Sequence, residues 1–229
     1  SEINCVRKHL SAIKGGRLAA AAYPARVVTL AISDVAGDDP AVLASGPTVA
    51  DPTTFSEALA VIEKYDLLVP AAVRDRLRGG AEETPKPGDP RLQNTDYALV
   101  ARPADALAAA AEVARAAGFT PIILGDAIEG EARAVAQKHA DVSLKTGGPA
   151  VILSGGETTV TVHGDGRGGP NGEFMLALAL ALDGQPNTWA IACDTDGIDG
   201  SEDNAGYIAR PDTLMRARKL GLDPVAFLI

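Results

Sequence analysis

Apolar residues recur along the chain in two rhythms, and the changes of rhythm mark out the elements. Residues 2–22 read as a helix interrupted at Gly15-Gly16. Residues 26–32 (RVVTLAI) are a continuous β-branched run, which predicts a buried strand ending in Ser33-Asp34 and an acidic loop. Asp51-Pro52 then reads as the start of a helix with Phe55, Leu59 and Ile62 on one face, and 70–78 as a second helix closed by Gly79-Gly80. Pro85, Pro87 and Pro90 deny helix and central strand to their stretch, which reads as a connector. Strand 97–101, helix 104–117, strand 120–124 and helix 130–139 follow, an alternation that predicts a largely parallel sheet.

Past Gly147-Gly148 the rhythm changes. Residues 151–154 and 158–163 flank SGGE, and the second of them (TTVTVH) alternates as a hairpin strand with one wet face does. A Gly-rich loop, a helix over 172–182, a strand over 188–193, the run DTDGIDGSEDNAG and a last helix over 212–219 complete the pattern. The expected fold is α/β: two α/β domains with largely parallel, Rossmann-like sheets, 1–147 and 148–229, the C-terminal one containing the hairpin. Both ends read as cut. The chain opens at Ser1 directly into a helical pattern, and Asp223-Pro224 starts a helix with fewer than two turns left to it.

Composition narrows the function. Aromatics are only 4% of the 229 residues, so the core must be built from Ala, Val, Leu and Ile. A net charge of −9 offers no basic face for nucleic acid. Cys5 and Cys193 have no CxxC spacing, which suits a reducing compartment, and each reads as a small buried hydrophobe. No run approaches the ~18 apolar residues of a membrane span, and no signal peptide is visible, so a cytoplasmic protein without membrane partners is expected.

Candidate chemistry begins with acids that follow strands: Asp34 after one, Asp194 and Asp196 after another. In open α/β sheets ligands bind beyond the carboxyl ends of strands. Carboxylates there can hold Mg²⁺ or act as a base on a hydroxyl; the alternative is that they cap helices or shape Gly turns. An EF-hand fails because Ile198 takes a ligand position. Gly155-Gly156 and the loop 164–169 are candidate anion cradles, with tight turns as the alternative. Gly164, Gly166 and Gly169 spell GxGxxG, but the strand before them alternates, Pro170 follows, and Asp194 lies 30 residues beyond Gly164 instead of about 20. Arg7, Lys8, Lys14 and Arg17 are a basic group for an anion, with Gly-Gly directly after Lys14. His9, His139 and His163 lack metal-ligand spacing.

Across SEINCVRKHLSAIKGGRLA, VVTLAISDVAGDDPAVLASGPTVADP, EETPKPGDPR, LSGGETTVTV and DTDGIDGSEDNAG the sequence resembles the glycerate 2-kinase family. The C-terminal domain of that family is labelled MOFRL, and many members are named hydroxypyruvate reductase. The resemblance implies ATP-dependent phosphorylation of D-glycerate at its 2-hydroxyl, with Mg²⁺, in a cleft between two α/β domains of a chain about twice this length. Glycerate and ATP are the implied partners, with a homodimer allowed. Asp34, Asp194 and Asp196 are the implied catalytic acids, the last two also metal ligands. Lys14, Gly15, Gly155, Gly156, Glu157, Arg167 and Asn171 are implied for substrate or phosphate. The family pattern GGRNQE reads GGPNGE here, so Pro170 replaces an arginine, with Arg167 as the nearby candidate substitute. A further family lysine belongs to a segment before Ser1. An NAD(P)-dependent hydroxypyruvate reductase and an inactive sugar-acid binding module are the alternatives.

Overall fold

The computed structural model describes residues 2–35, 37–164 and 166–228. It divides into two compact units, Ser1–Ala106 and Leu107–Ile229. In the first, α1 (Glu2–Leu10) and α2 (Arg17–Ala22) are separate helices. The break comes before the glycines: Ser11 Oγ accepts from the amides of Ile13 and Lys14, and the chain then turns through Gly15 and Gly16 at φ of 60° and 80°. Strand β1 (Val27–Ile32) pairs in parallel with β2 (Thr95–Ala101), Val27 opposite Thr95 and Leu30 opposite Ala98.

Strand β1 is not the fully buried strand its composition suggests. Its burial alternates, and Leu30 and Ile32 are 68% and 69% exposed. Only one face of this two-stranded pair is covered among the described residues. Helix α3 (Phe55–Lys64) starts at Thr54, whose side chain and that of Glu57 form a capping box, so Asp51 is not the cap. Helix α4 (Ala71–Gly79) ends at Gly80 in the left-handed region. Cys5, Phe55, Ala58, Ile62 and Leu77 make the core of this unit.

Helix α5 (Pro103–Ala116) spans the division. The second unit then contains β3 (Thr120–Glu131), α6 (Ala132–Lys145), β4 (Ala150–Thr159), α7 (Pro170–Leu182), β5 (Ala190–Cys193), β6 (Gly206–Ala209) and α8 (Thr213–Lys219). Strands β3 and β4 are parallel from Thr120 opposite Ala150 to Glu131 opposite Thr159, and β5 and β6 are antiparallel. Ala136 and Ala140 on α6 meet Met175, Leu178 and Ala179 on α7, and their small side chains let the two helices close. The mixed, mainly parallel α/β architecture is the expected one.

Two details differ. There is no hairpin at 151–163, because SGGE lies inside β4, a single strand. Gly156 is needed for close approach: a Cβ on it would collide with the backbone of Ile128, where β3 and β4 shift register, whereas one on Gly155 would make only ordinary contacts. The compact units also divide near residue 106 and not at 147, since β3–β4 pairing and α6–α7 packing run across Gly147-Gly148.

Candidate active site

Asp34 stands at the carboxyl end of the β1–β2 pair. Ser33 is buried and its amide still donates to the Ala101 carbonyl at 3.0 Å, while Asp34, the next residue, is exposed. That is where a parallel sheet presents groups to a ligand.

The basic group of α1 and α2 does not converge. Lys8 turns inward and meets Asp51 Oδ1 at 2.6 Å, with both side chains buried. Arg17 reaches the Glu82 carbonyl, and Arg7 lies 3.4 Å from Asn4 Oδ1. Lys14 donates to the Ala44 carbonyl at 2.9 Å but stays at the surface. The amides of Gly15 and Gly16 donate to the carbonyls of Ser45 and Gly46 at 3.0 and 2.7 Å, so this turn is no ready-made anion cradle. It grips a loop in which Ala44 and Ser45 both hold positive φ, of 51° and 62°, a conformation costly for residues with a Cβ.

A groove of about 530 Å³ runs beside Lys14 and Arg7, lined by Ile3, Val6, Leu10 and Val61. Its apolar walls do not suit a small polyhydroxy acid.

Asp51, expected to start a helix together with Pro52, is the centre of a buried network. Besides Lys8 it accepts from the Thr53 amide at 2.9 Å, the Thr53 hydroxyl at 2.7 Å and the Thr84 hydroxyl at 3.0 Å. Thr84 in turn accepts from Lys86 at 2.8 Å. Burial alone would raise the Asp51 pKa, but the hydrogen bonds from Lys8 and Thr53 carry it below the ordinary carboxylate value. The stretch after Glu82 is therefore packed against Asp51 and is more than a connector. Cys5, beside this network, is buried and its thiol is pushed up by that burial, whereas Cys193 is exposed and not the buried hydrophobe expected.

In the second unit two loops are stitched together. Residues 194–205 join β5 to β6, and residues 166–169 lead into α7, whose first turn holds Asn171 and Gly172. Asp199, fully buried, accepts from the Asn171 amide at 2.9 Å, the Asn171 side chain at 3.1 Å and the Gly172 amide at 2.8 Å. The Ser201 amide donates to the Gly168 carbonyl at 3.3 Å, and Arg167 pairs with Glu202 at 3.0 Å while 77% exposed. Residue 165 of the expected 164–169 cradle lies outside the described residues. The α7 amides that would make the cradle are taken by Asp199, so neither a free phosphate nor the pyrophosphate of a GxGxxG site can use them.

Asp194 and Asp196 start this acidic loop. Asp194 Oδ1 accepts from the Asp196 amide at 3.2 Å, and Asp196 Oδ1 from the Ile198 amide at 2.9 Å. No group of three or more His, Cys, Asp or Glu among the described residues is placed to hold a metal. Two braced, solvent-accessible carboxylates fit Mg²⁺ that arrives with phosphate oxygens and water, since that ion commonly takes only one or two protein carboxylates.

The histidines are structural or at the surface. His9 Nδ1 meets the Cys5 carbonyl, and His139 bridges the Val135 carbonyl and Ser154 Oγ. Sequence reasoning missed Asp199 altogether.

Residues 150–229 match the model described as "MOFRL family", and residues 1–78 match "Domain of unknown function (DUF4147)". A protein of Agrobacterium vitis named "Putative hydroxypyruvate reductase" is 55% identical over 100% of this chain and 53% of its own length. "D-glycerate 2-kinase" of Thermotoga maritima is 39% identical over 99% of this chain and 54% of its own. The crystal structure of a Thermotoga maritima glycerate kinase superposes with a TM-score of 0.80 at 37% identity, over 99% of this chain and 55% of that one. The chain thus spans about half the length of the relatives it matches. No helix among the described residues is long and apolar enough to cross a membrane.

Proposed function

The chain belongs to the glycerate kinase family, with MOFRL as its C-terminal part, and we propose that the whole protein transfers the γ-phosphoryl group of ATP to the 2-hydroxyl of D-glycerate in the cytoplasm. The observation that carries this reading is Asp34, an exposed carboxylate directly beyond the carboxyl end of a parallel strand pair. In phosphoryl transfer the protein mainly positions groups and neutralises charge. Asp34 accepts the proton of the attacking hydroxyl. Arg167 and Asn171 hold carboxylate or phosphate oxygens, and Lys14 offers an exposed ammonium to the same kind of charge. Gly155, Gly156 and Glu157 are assigned to the substrate through their match to the family's SGGET motif. Asp194 and Asp196 would hold Mg²⁺, which supplies charge neutralisation on the phosphates.

The names of close relatives favour a second reading, hydroxypyruvate reduction with a nicotinamide cofactor. The engaged amides of α7 speak against a dinucleotide at the GxGxxG sequence. Replacing Asp34 by Asn in the whole protein tests the proposal: kcat should fall by about 10²–10⁴-fold with the fold intact, the usual cost of losing a general base. Wild-type turnover in the folded variant would remove Asp34 from the mechanism.

A further inference from the structure

Asp199 is buried to 0% exposure within a loop whose neighbours Ile198 and Gly200 are exposed. Its three donors, the Asn171 amide, the Asn171 side chain and the Gly172 amide, are all neutral. Burying a carboxylate in this way is costly unless its oxygens are well matched by hydrogen bonds. A cheaper solution exists for capping a helix, a Ser, Thr, Asp or Asn at the N-cap itself. Here the N-cap is Gly169, without a side chain, and the carboxylate comes from a loop in the other half of the unit. The glycines around it admit nothing else. A Cβ on Gly169 would collide with Asp199, and one on Gly200 with the backbone of Gly168.

A distant carboxylate does what a local cap does not: it ties 166–172 to 199–202. Ser201 and the Arg167–Glu202 pair add weaker stitches along the same seam. Arg167 and Asn171 lie on one side of that seam, and Asp194 and Asp196 lie on the loop that forms the other. We infer that Asp199 is a positioning residue for phosphoryl transfer. It fixes the substrate-side Arg167 and Asn171 relative to the acidic pair, and by occupying the α7 amides it leaves anion recognition to side chains. This inference rests on the kinase reading for its consequence, but not for the anchor itself.

Two readouts on the whole protein separate these parts. In Asp199→Asn an NH₂ group faces a donor in place of an oxygen. The Asn171 and Gly172 amides should then exchange with deuterium roughly 10- to 100-fold faster, as expected for losing a hydrogen bond to a charged group, while β5–β6 amides keep their rates. The kcat per folded molecule, measured well below Tm, should drop about 10- to 100-fold, the scale of a small misplacement of catalytic groups. In an Arg167→Gln background the same change should cost clearly less, because the group being positioned is gone.

Unchanged exchange at Asn171 and Gly172 overturns the anchor. Faster exchange with unchanged kcat and KM, or full additivity with Arg167→Gln, overturns the positioning role and leaves a helix cap. If the wild-type protein phosphorylates no glycerate, the kinase reading fails, and exchange alone decides the anchor. Should Asp199→Asn not fold, Ser201→Ala, which removes the hydroxyl's contacts with Gly168 and Glu202 and keeps the amide bond to the Gly168 carbonyl, loosens the same seam and gives the same two readouts with smaller expected changes.

Discussion

Among the described residues each unit buries one aspartate, and the two do different work. Asp51 has a cationic partner, Lys8, plus hydroxyls, and its network fastens α1 to the stretch after Glu82. Asp199 has only amide donors and fastens its loop to the start of α7. A charge pair inside a core resists removal of either member, because the survivor is left buried and unpaired. A carboxylate held by amides leaves no stranded charge behind, only unsatisfied N–H groups at a helix start. The first arrangement is that of a scaffold, and under the proposed function the second is that of a rim that must hold its shape.

Asp51→Ala has the largest expected effect. It should destabilise the protein by about 3–5 kcal/mol, as removal of one partner from a buried pair does. Denaturant unfolding would measure it, and a loss below about 1 kcal/mol would make Asp51 no different from a surface acid.

Arg167→Gln sharpens the contrast from the rim. It should leave stability within about 1 kcal/mol, since its pairing with Glu202 is exposed. It should weaken glycerate or ATP use by about 1.5–3 kcal/mol in kcat/KM, the worth of a hydrogen bond to a charged group. Unchanged kcat/KM for both substrates would return Arg167 to the surface and leave the arginine replaced at Pro170 uncompensated.

Acid is a gentler probe of Asp51. Its folded pKa lies below the ordinary carboxylate value, so its stabilisation is complete above about pH 4–5 and is lost as pH falls through the folded value. The Tm gap between the wild type and Asp51→Asn should therefore shrink as pH drops from about 5 toward 2. A gap that stays constant over that range would show that Asp51 is not ionised where the network needs it.

Where sequence reading worked, the signal was local. The β-branched run of β1, the Ala-rich α5 and the Gly ends of helices declare themselves within a few residues. The position of Asp34 at the end of a strand was legible because an acid that ends an apolar run has a known place in an α/β sheet, while its role belongs to the proposal.

Where reading failed, the partner was distant. Asp51-Pro52 looked like a helix start, and nothing nearby says that Lys8 and Thr84 claim the carboxylate while Thr54 does the capping. Gly155-Gly156 looked like an anion cradle or a tight turn because the close approach of Ile128 to Gly156 is invisible from β4 alone. Strand β6 is only Gly206–Ala209, too short for a period to show. Asp199 sits 28 residues from Asn171, and its one hint, a buried-type Asp-Gly opposite the paired glycines 168 and 169, has meaning only once the loops meet.

The products of the reaction decide between the kinase and reductase readings. The whole protein should be incubated with D-glycerate, ATP and Mg²⁺ and followed by phosphorus NMR. The expected products are ADP and 2-phosphoglycerate in equal amounts, both reduced by the Asp34→Asn change. Oxidation of NAD(P)H with hydroxypyruvate and no ADP formation, or phosphate appearing on the 3-hydroxyl, would contradict it.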